Sequence, residues 1–164
     1  MDLILWRHAD AEDGPDFGPT SPGPSSVVDA DLHRCLSARG HKQAARMAKW
    51  VDRTLTNSAQ VLVSPAMRCE QTIVPLGRKY KTCAELAPWA CVDDLLSLVQ
   101  WPLAKLPVLV VGHQPTLGQV VTRLLGVDGD ELSFRKGAIW WLRSRERDGE
   151  IQTVVVTVQS PEFL

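Results

Sequence analysis

Three short apolar runs dominate the folding pattern of this 164-residue chain, because a polar turn follows each of them at once. The runs are residues 3–6 (LILW), 60–63 (QVLV) and 106–111 (LPVLVV). They lack the alternation of a half-exposed strand, which is typical of strands buried on both faces. Such strands belong to parallel sheets covered by helices, so the pattern predicts an α/β chain.

Segments with helical periodicity or helix-boundary residues lie between and after these runs. The first expected helix covers residues 36–55 and is capped by Ser37. The second starts at Ser64-Pro65, with the serine as cap and the proline in the first turn, and ends or kinks at Pro75. Two more are expected over residues 92–100 and over residues 115–125, where Gly126 ends the helix. Strands therefore alternate with helices, as in a sheet with helices on both faces.

The remaining segments complete one predicted domain over residues 1–164. Residues 82–86 are expected to form a short edge strand, and 138–142 with 151–158 an antiparallel hairpin around a turn near Asp148-Gly149. Residues 12–30 are rich in Gly, Pro, Ser and Asp and predict a surface loop. The overall prediction is a three-layer α/β/α sandwich with a mainly parallel sheet.

Composition excludes several classes of function. The formal net charge is -1, so we expect no bulk attraction to nucleic acid or to an anionic membrane. Asp2 follows Met1 at once and no apolar run approaches the ~20 residues of a membrane span, so neither a secretory signal nor a membrane anchor is expected. The four cysteines form no C-x2-C pair, which favours free thiols and a cytoplasmic location.

Basic and imidazole side chains follow all three apolar runs. Arg7 and His8 follow the first, Arg68 lies just after the second, and His113 follows the third. The carboxyl ends of parallel strands share one edge of the sheet, so we expect these four side chains to converge. The guanidinium fork matches phosphate oxygens, and the same positive charge would repel a metal ion, so no metal or other cofactor is expected.

A neutral imidazole beside a phosphorus centre can act as a nucleophile, and a second imidazole can stabilise the transferring group. The residues alone do not decide between His8 and His113 for the first role. Each of the four also has a simpler interpretation, such as a structural histidine or a surface arginine. These simpler interpretations weaken because the four occupy equivalent points of three similar units.

Other catalytic motifs are absent from the sequence. No cysteine begins a C-x5-R loop, and neither a phosphate-binding G-x4-G-K-[ST] loop nor a G-x-S-x-G elbow occurs. Asp29-Ala30-Asp31 is similar to the start of an aspartate-phosphatase loop. It follows a Gly/Pro/Ser tract instead of a strand, so we do not predict a nucleophile there.

The three blocks together resemble the histidine phosphatase superfamily. They are Arg7-His8-Ala9, residues 64–72 (SPAMRCEQT, similar to S-x-x-x-R-x-x-Q-T) and residues 111–115 (VGHQP). The resemblance implies a phosphoglycerate-mutase-like fold and a phosphatase in which His8 is phosphorylated during turnover. It also implies that Arg7, Arg68 and His113 hold the phosphoryl group.

Two further segments resemble the SixA-type phosphohistidine phosphatases within that superfamily. They are residues 34–40 (RCLSARG), with Cys35 where proline is usual, and residues 85–88 (ELAP). This likeness implies a phosphohistidine-containing protein as the substrate. The stretch between Thr72 and Pro107 is short, so a minimal lid and an open site are expected, which suit a phosphorylated side chain.

A carboxylic acid that could protonate a leaving group is not evident, and Glu85 and Asp10 are the candidates. Phosphohistidine releases an imidazole, which needs such an acid less than an alkoxide does. Two alternatives remain open. One is a general phosphomonoesterase acting on a small phosphorylated metabolite, and the other is a non-catalytic phosphate-binding module. The sequence predicts no oligomeric state.

Overall fold

The computed structural model describes residues 1–14 and 24–164 and contains a six-stranded sheet in the order β3-β2-β4-β1-β5-β6. The strands are β1 (Asp2–Arg7), β2 (Gln60–Val63), β3 (Lys81–Thr82), β4 (Val108–Gly112), β5 (Ile139–Arg147) and β6 (Glu150–Gln159). The pairs among β1 to β4 are parallel, whereas β5 runs antiparallel to both β1 and β6. The predicted mainly parallel sheet with a closing antiparallel hairpin is confirmed.

The described residues contain five α-helices: α1 (Pro24–Leu32), α2 (Ala38–Thr54), α3 (Met67–Ile73), α4 (Val92–Leu98) and α5 (Thr116–Leu125). Ser37 caps α2 as predicted, since its hydroxyl accepts a hydrogen bond from the amide of Gly40. Gly126 ends α5 in the left-handed conformation at φ 62°, which glycine adopts without a steric penalty. Within residues 1–14 and 24–164, no helix has both the length and the apolar character needed to cross a membrane.

Two hydrophobic clusters lie on opposite faces of the sheet because neighbouring residues of each strand point to opposite sides. On one face, Leu3, Leu5, Val108 and Val110 pack with buried residues of α4 and α5. On the other, Ile4, Trp6, Leu109 and Val111 pack with buried residues of α2 and α3. The two central strands are therefore covered on both faces, which confirms the three-layer arrangement.

The prediction of a loop over 12–30 is wrong for its last seven residues. Residues 24–30 belong to α1, and residues 15–23 lie outside the described part of the chain. The physical reason is local. Pro24 occupies the first helical position, where its missing N–H costs nothing, and residues 25–32 contain neither glycine nor proline.

Two further boundaries differ from the prediction. Helix α3 begins at Met67 with Ala66 as its N-cap and has no side-chain cap, so Ser64 is not the capping residue. The edge strand covers only Lys81–Thr82, and Ala84–Leu86 form a 3-10 turn. Helix α3 ends at Ile73, and a 3-10 turn that contains Pro75 follows it, in agreement with the expected stop.

The tryptophans show how the sheet faces are used. Trp6 is fully buried and donates a hydrogen bond from Nε1 to the Gly137 carbonyl at 3.1 Å. Trp140 and Trp141 lie on opposite faces of the sheet, and both are half-buried. Trp140 stacks on Phe134 with 5.4 Å between ring centroids.

Gly40 provides a test of the packing between α2 and the loop after β1. A Cβ atom at this position would lie 1.9 Å from the Asp10 carbonyl oxygen. We expect Gly40→Ala to lower the free energy of unfolding by about 3 kcal/mol, although alanine is the better helix former. Gly14→Ala is the matched control, because its nearest contact would be the Arg34 side chain at 3.6 Å. Urea unfolding curves measure both, and equal midpoints for Gly40→Ala and wild type would contradict the close approach.

Candidate active site

The parallel pairing of β1 with β4 brings the two predicted histidines together. Arg7 is opposite Gly112 in the register, so His8 and His113 follow neighbouring strand ends. The His8 amide donates to the Gly112 carbonyl at 3.1 Å, which extends the pairing by one residue. The imidazole rings are 5.2 Å apart between centroids and tilted by 54°. Two residues separated by 105 positions in the chain therefore share one pocket at the carboxyl edge of the sheet.

Hydrogen bonds fix the orientation of the His8 ring. Its Nδ1 lies 2.8 Å from the Ala9 carbonyl oxygen, which can only accept, so Nδ1 carries the proton in the neutral ring. The lone pair is then on Nε2. The backbone around the ring is held as well, because the Ala9 amide donates to Thr72 Oγ1 at 3.0 Å and the Gly137 amide donates to the His8 carbonyl at 2.9 Å. The geometry presents Nε2 as a nitrogen nucleophile.

The His113 ring is fixed in the other tautomer. Arg68 Nη2 lies 3.3 Å from His113 Nδ1, and a guanidinium can only donate, so Nδ1 is the acceptor. His113 Nε2 then carries the proton and donates to Ser64 Oγ at 2.7 Å. Ser64 is fully buried. Its role at the site was missed in the sequence, where the Ser-Pro pair predicted only a helix cap.

The two predicted arginines lie near both histidines, since the charges of Arg7 and Arg68 lower the pKa values of His8 and His113. Arg68 lies in the first turn of α3 and is only 4% exposed, so the alternative of a solvent-exposed arginine is wrong. Arg7 Nη1 donates to the Phe134 carbonyl. Among the described residues, the Nε atoms of Arg7 and Arg68 are both buried without a hydrogen-bond partner. Buried unpaired donors are costly, and cationic ones are suited to the oxygen atoms of an anion.

Asp31 and Arg34 are two pocket residues that the sequence reasoning did not assign. Asp31, in the last turn of α1, accepts from Arg68 Nη2 at Oδ2 (2.9 Å) and pairs with Arg34 Nη1 at Oδ1 (3.0 Å). The Asp31 backbone carbonyl also accepts from Arg68 Nη1 at 2.6 Å. The signal was present as an acidic residue three positions before an arginine, but it is meaningful only if the segment is helical.

Burial and positive charge keep both histidines neutral. The pKa of His8 is lowered to about 3, chiefly by burial and further by the charges of Arg68, Arg7 and Arg34, while the bond to Ala9 acts in the opposite direction. The pKa of His113 is lowered to about 2 by burial, by His8 and by the same arginines. At neutral pH the His8 ring therefore has a free lone pair, as a nucleophile requires.

The two predicted general acids lie in different surroundings. The Asp10 carboxylate accepts from Lys136 Nζ and from Ser37 Oγ, each at 2.6 Å, and these two bonds hold its pKa below the usual range. Asp10 is therefore held as a carboxylate. Glu85 is exposed in the Ala84–Leu86 turn, and in the part of the chain covered by the structure it has no hydrogen bond or ion pair with the pocket residues. The Asp10 position therefore does not favour a protonated acid, and Glu85 makes no bond to the site residues in the part of the chain that the structure describes.

The described residues offer no cluster of ligands for a metal ion. No group of three or more His, Cys, Asp or Glu side chains lies close enough together across residues 1–14 and 24–164. The polar groups that line the pocket are instead guanidiniums and imidazoles, with Asp31 as the carboxylate bound to Arg68.

Comparison with known proteins finds similar proteins of one kind, although no family model matches the sequence. The chain is 27% identical to a phosphohistidine phosphatase SixA homolog from Haemophilus influenzae, over 77% of this chain and 78% of the relative. It is 29% identical to phosphohistidine phosphatase SixA from Escherichia coli K12, over 76% and 74% of the two chains. The solved structure of the protein histidine phosphatase SixA complexed with tungstate superposes with a TM-score of 0.72 at 25% identity and covers 99% of both chains.

The fold, the strand-end histidines and these relatives agree on a class: the chain has a phosphoglycerate-mutase-like fold and is similar to members of the histidine phosphatase superfamily. Within that superfamily it is similar to the SixA-type phosphohistidine phosphatases, over about three quarters of the chain in sequence and nearly all of it in structure. The resemblance of the sequence blocks to this branch is confirmed.

The neutral buried histidines predict a pH dependence of stability. Below the ordinary pKa of 6.5 the unfolded chain binds a proton at each histidine, whereas the folded chain does so only near pH 3 for His8 and near pH 2 for His113. Stability should therefore fall as the pH drops from 6.5, by up to about 1.4 kcal/mol per pH unit for each of the two. Urea unfolding from pH 7 to 4, in buffers without phosphate, should show a shallower loss for His8→Gln than for wild type. Parallel curves would contradict a neutral His8.

Proposed function

We propose that this chain is a phosphohistidine phosphatase that removes the phosphoryl group from a protein through a phospho-His8 intermediate. The observation that carries the proposal is the pair of neutral imidazoles, 5.2 Å apart between ring centroids, in a pocket with the guanidiniums of Arg7 and Arg68. The similarity to SixA phosphohistidine phosphatases supports the reaction and the substrate class.

In the first step, the lone pair on His8 Nε2 attacks phosphorus while the bond from phosphorus to the substrate imidazole nitrogen breaks. The substrate nitrogen leaves with the bonding electrons and takes a proton. The guanidinium N–H groups of Arg7 and Arg68 bind the equatorial oxygens, where negative charge is concentrated in the transition state. The Nδ1–H bond to Ala9 holds the ring so that Nε2 faces the incoming group.

In the second step, water attacks the phosphorus of phospho-His8, the P–N bond breaks, and the electron pair returns to Nε2. The proton lost by water leaves with inorganic phosphate or with solvent. His113 lies beside His8 and accepts a hydrogen bond at Nδ1 from Arg68, so it would act by holding that guanidinium toward the phosphoryl oxygens during both transfers. The products are inorganic phosphate and neutral His8, so the site is restored for the next turnover.

The surroundings of the two candidate acids support a nitrogen leaving group. Departure of an alkoxide needs a proton donor, but the pKa of Asp10 is lowered by Lys136 and Ser37, and Glu85 is exposed. An imidazole is a much better leaving group and can accept its proton from solvent. The arrangement therefore favours phosphohistidine over a phosphomonoester.

The stretch between α3 and β4 supports a protein substrate. It contains two 3-10 turns, the two-residue β3 and the seven-residue α4, whose Leu95 is buried in the core. These elements are too short and too firmly packed to enclose a small ligand, whereas a side chain presented by another protein needs no enclosure. A cytoplasmic location is part of the proposal, and the four free cysteines support it.

We expect His8→Ala to lower turnover of a phosphohistidine peptide by at least about 10³-fold while the chain stays folded. Turnover is followed as release of inorganic phosphate, and the intermediate is trapped by rapid alkaline denaturation and mapped by mass spectrometry. His41→Ala, on the exposed face of α2, is the matched control and should keep wild-type activity. Phosphate trapped on another residue, or an active His8→Ala variant, would contradict the proposed nucleophile.

A substrate panel separates the proposed function from its two alternatives. We expect kcat/KM for a phosphohistidine peptide to exceed that for sugar phosphates and nucleotides by at least about 10²-fold, because those substrates need a proton for the leaving oxygen. A chelator should leave the rate unchanged. A preference for the small phosphates would indicate a metabolite phosphatase, and tight peptide binding without release of phosphate would indicate a binding module.

A further inference from the structure

The carboxylate of Asp31 connects two of the cationic side chains at the pocket. One oxygen is 3.0 Å from Arg34 Nη1 and the other is 2.9 Å from Arg68 Nη2. The backbone carbonyl of the same residue accepts from Arg68 Nη1 at 2.6 Å, so both terminal nitrogens of Arg68 are bound to Asp31. The side chain and the backbone of Asp31 therefore both bind the Arg68 guanidinium, which is almost fully buried.

Asp31 does not occupy the position that an anionic substrate would take. A carboxylate that imitates the phosphoryl group would bind donors without a partner, and these include the buried Nε atoms of Arg7 and Arg68. Among the described residues, both of those atoms lack a partner, and Asp31 bonds to Arg34 and Arg68 but not to Arg7 or His8. The carboxylate therefore holds Arg68 by its terminal nitrogens and leaves Nε for an anion.

The hydrogen bonds between Asp31 and Arg68 continue to the second histidine, His113. The nitrogen that donates to the Asp31 carboxylate, Nη2, also donates to His113 Nδ1 at 3.3 Å. That bond makes Nδ1 an acceptor and leaves the proton on Nε2, which Ser64 accepts. Asp31, Arg68, His113 and Ser64 thus form one chain of hydrogen bonds, in which the first carboxylate sets the position of every following group.

We propose that Asp31 is a positioning residue for phosphoryl transfer, which fixes Arg68 and, through it, His113. The inference rests on the phosphatase activity proposed above and adds a residue of α1 to the machinery. A guanidinium that is free to rotate would still attract phosphate by its charge, but it would not meet the transition state in the required geometry. Loss of the hydrogen bonds from Arg68 to Asp31 should therefore lower kcat more than it weakens binding of a ground-state anion.

The test compares Asp31→Asn with Asp29→Asn, its matched control on the same helix. Asp29 is exposed and its replacement removes the same charge. For each chain we would measure kcat with a phosphohistidine peptide, normalised to the concentration of folded chains, and the inhibition constant of inorganic phosphate. We expect Asp31→Asn to lower kcat by about 10- to 100-fold while the inhibition constant changes by less than about 5-fold. Asp29→Asn should match wild type in both.

Several outcomes would overturn the inference. A higher kcat with tighter phosphate inhibition in Asp31→Asn would show that the carboxylate competes with the substrate. Equal kcat values, or an equal loss in the Asp29→Asn control, would show that Asp31 has no specific role. If Asp31→Asn does not fold, Asp31→Glu keeps the charge but displaces the carboxylate by one methylene, and wild-type kcat in that variant would also exclude positioning. An inactive wild-type chain would instead refute the proposed function.

Discussion

The parallel pairing of β1 with β4 is the constraint on which the rest of the site depends. Leu3 is opposite Val108 and Arg7 is opposite Gly112, so the residues that follow each strand emerge side by side. A shift of one residue would move His8 by about 3.3 Å along the strand and turn its side chain to the other face. The two hydrophobic clusters prevent such a shift, because Ile4 and Leu5 would exchange their buried environments. Core packing on both faces thus fixes the distance between two imidazoles outside the core.

The positive charge of the arginines at the site is a second constraint. Arg7, Arg34 and Arg68 all act on the two histidines, and together with burial they hold both rings in the neutral form. Neutral imidazoles add no further positive charge beside the three arginines and supply the lone pair that a nucleophile needs. Asp31 supplies a carboxylate that partly offsets the arginines, while the Nε atoms of Arg7 and Arg68 have no hydrogen-bond partner within residues 1–14 and 24–164. The stability of the folded site and its proposed affinity for phosphate would therefore depend on the same few charges.

The parts of the fold that could be predicted from sequence are those whose signal is local. Apolar runs such as residues 108–111 indicate buried strands wherever they occur, and the positions of His8 and His113 after such runs indicate a shared edge. Helix α1 was missed because its Gly-, Pro- and Ser-rich flank outweighed the start signal at Pro24. Asp31 could then not be assigned, because its partner Arg68 is 37 residues away and the pairing depends on how α1 packs.

Ser64 illustrates why local rules give the wrong answer at a site. As a helix cap for the seven-residue α3 it would contribute about 1 kcal/mol. The buried His113 Nε2–H would then keep only Cys69 Sγ at 3.5 Å, a weak acceptor, so the loss of Ser64 would cost about 1–3 kcal/mol. The hydroxyl therefore stays with His113 at 2.7 Å and receives only a longer bond, 3.3 Å, from the Ala66 amide. The loss of a cap is the smaller of the two costs, so the chain leaves α3 without a side-chain cap in order to hold an imidazole at the carboxyl edge of the sheet.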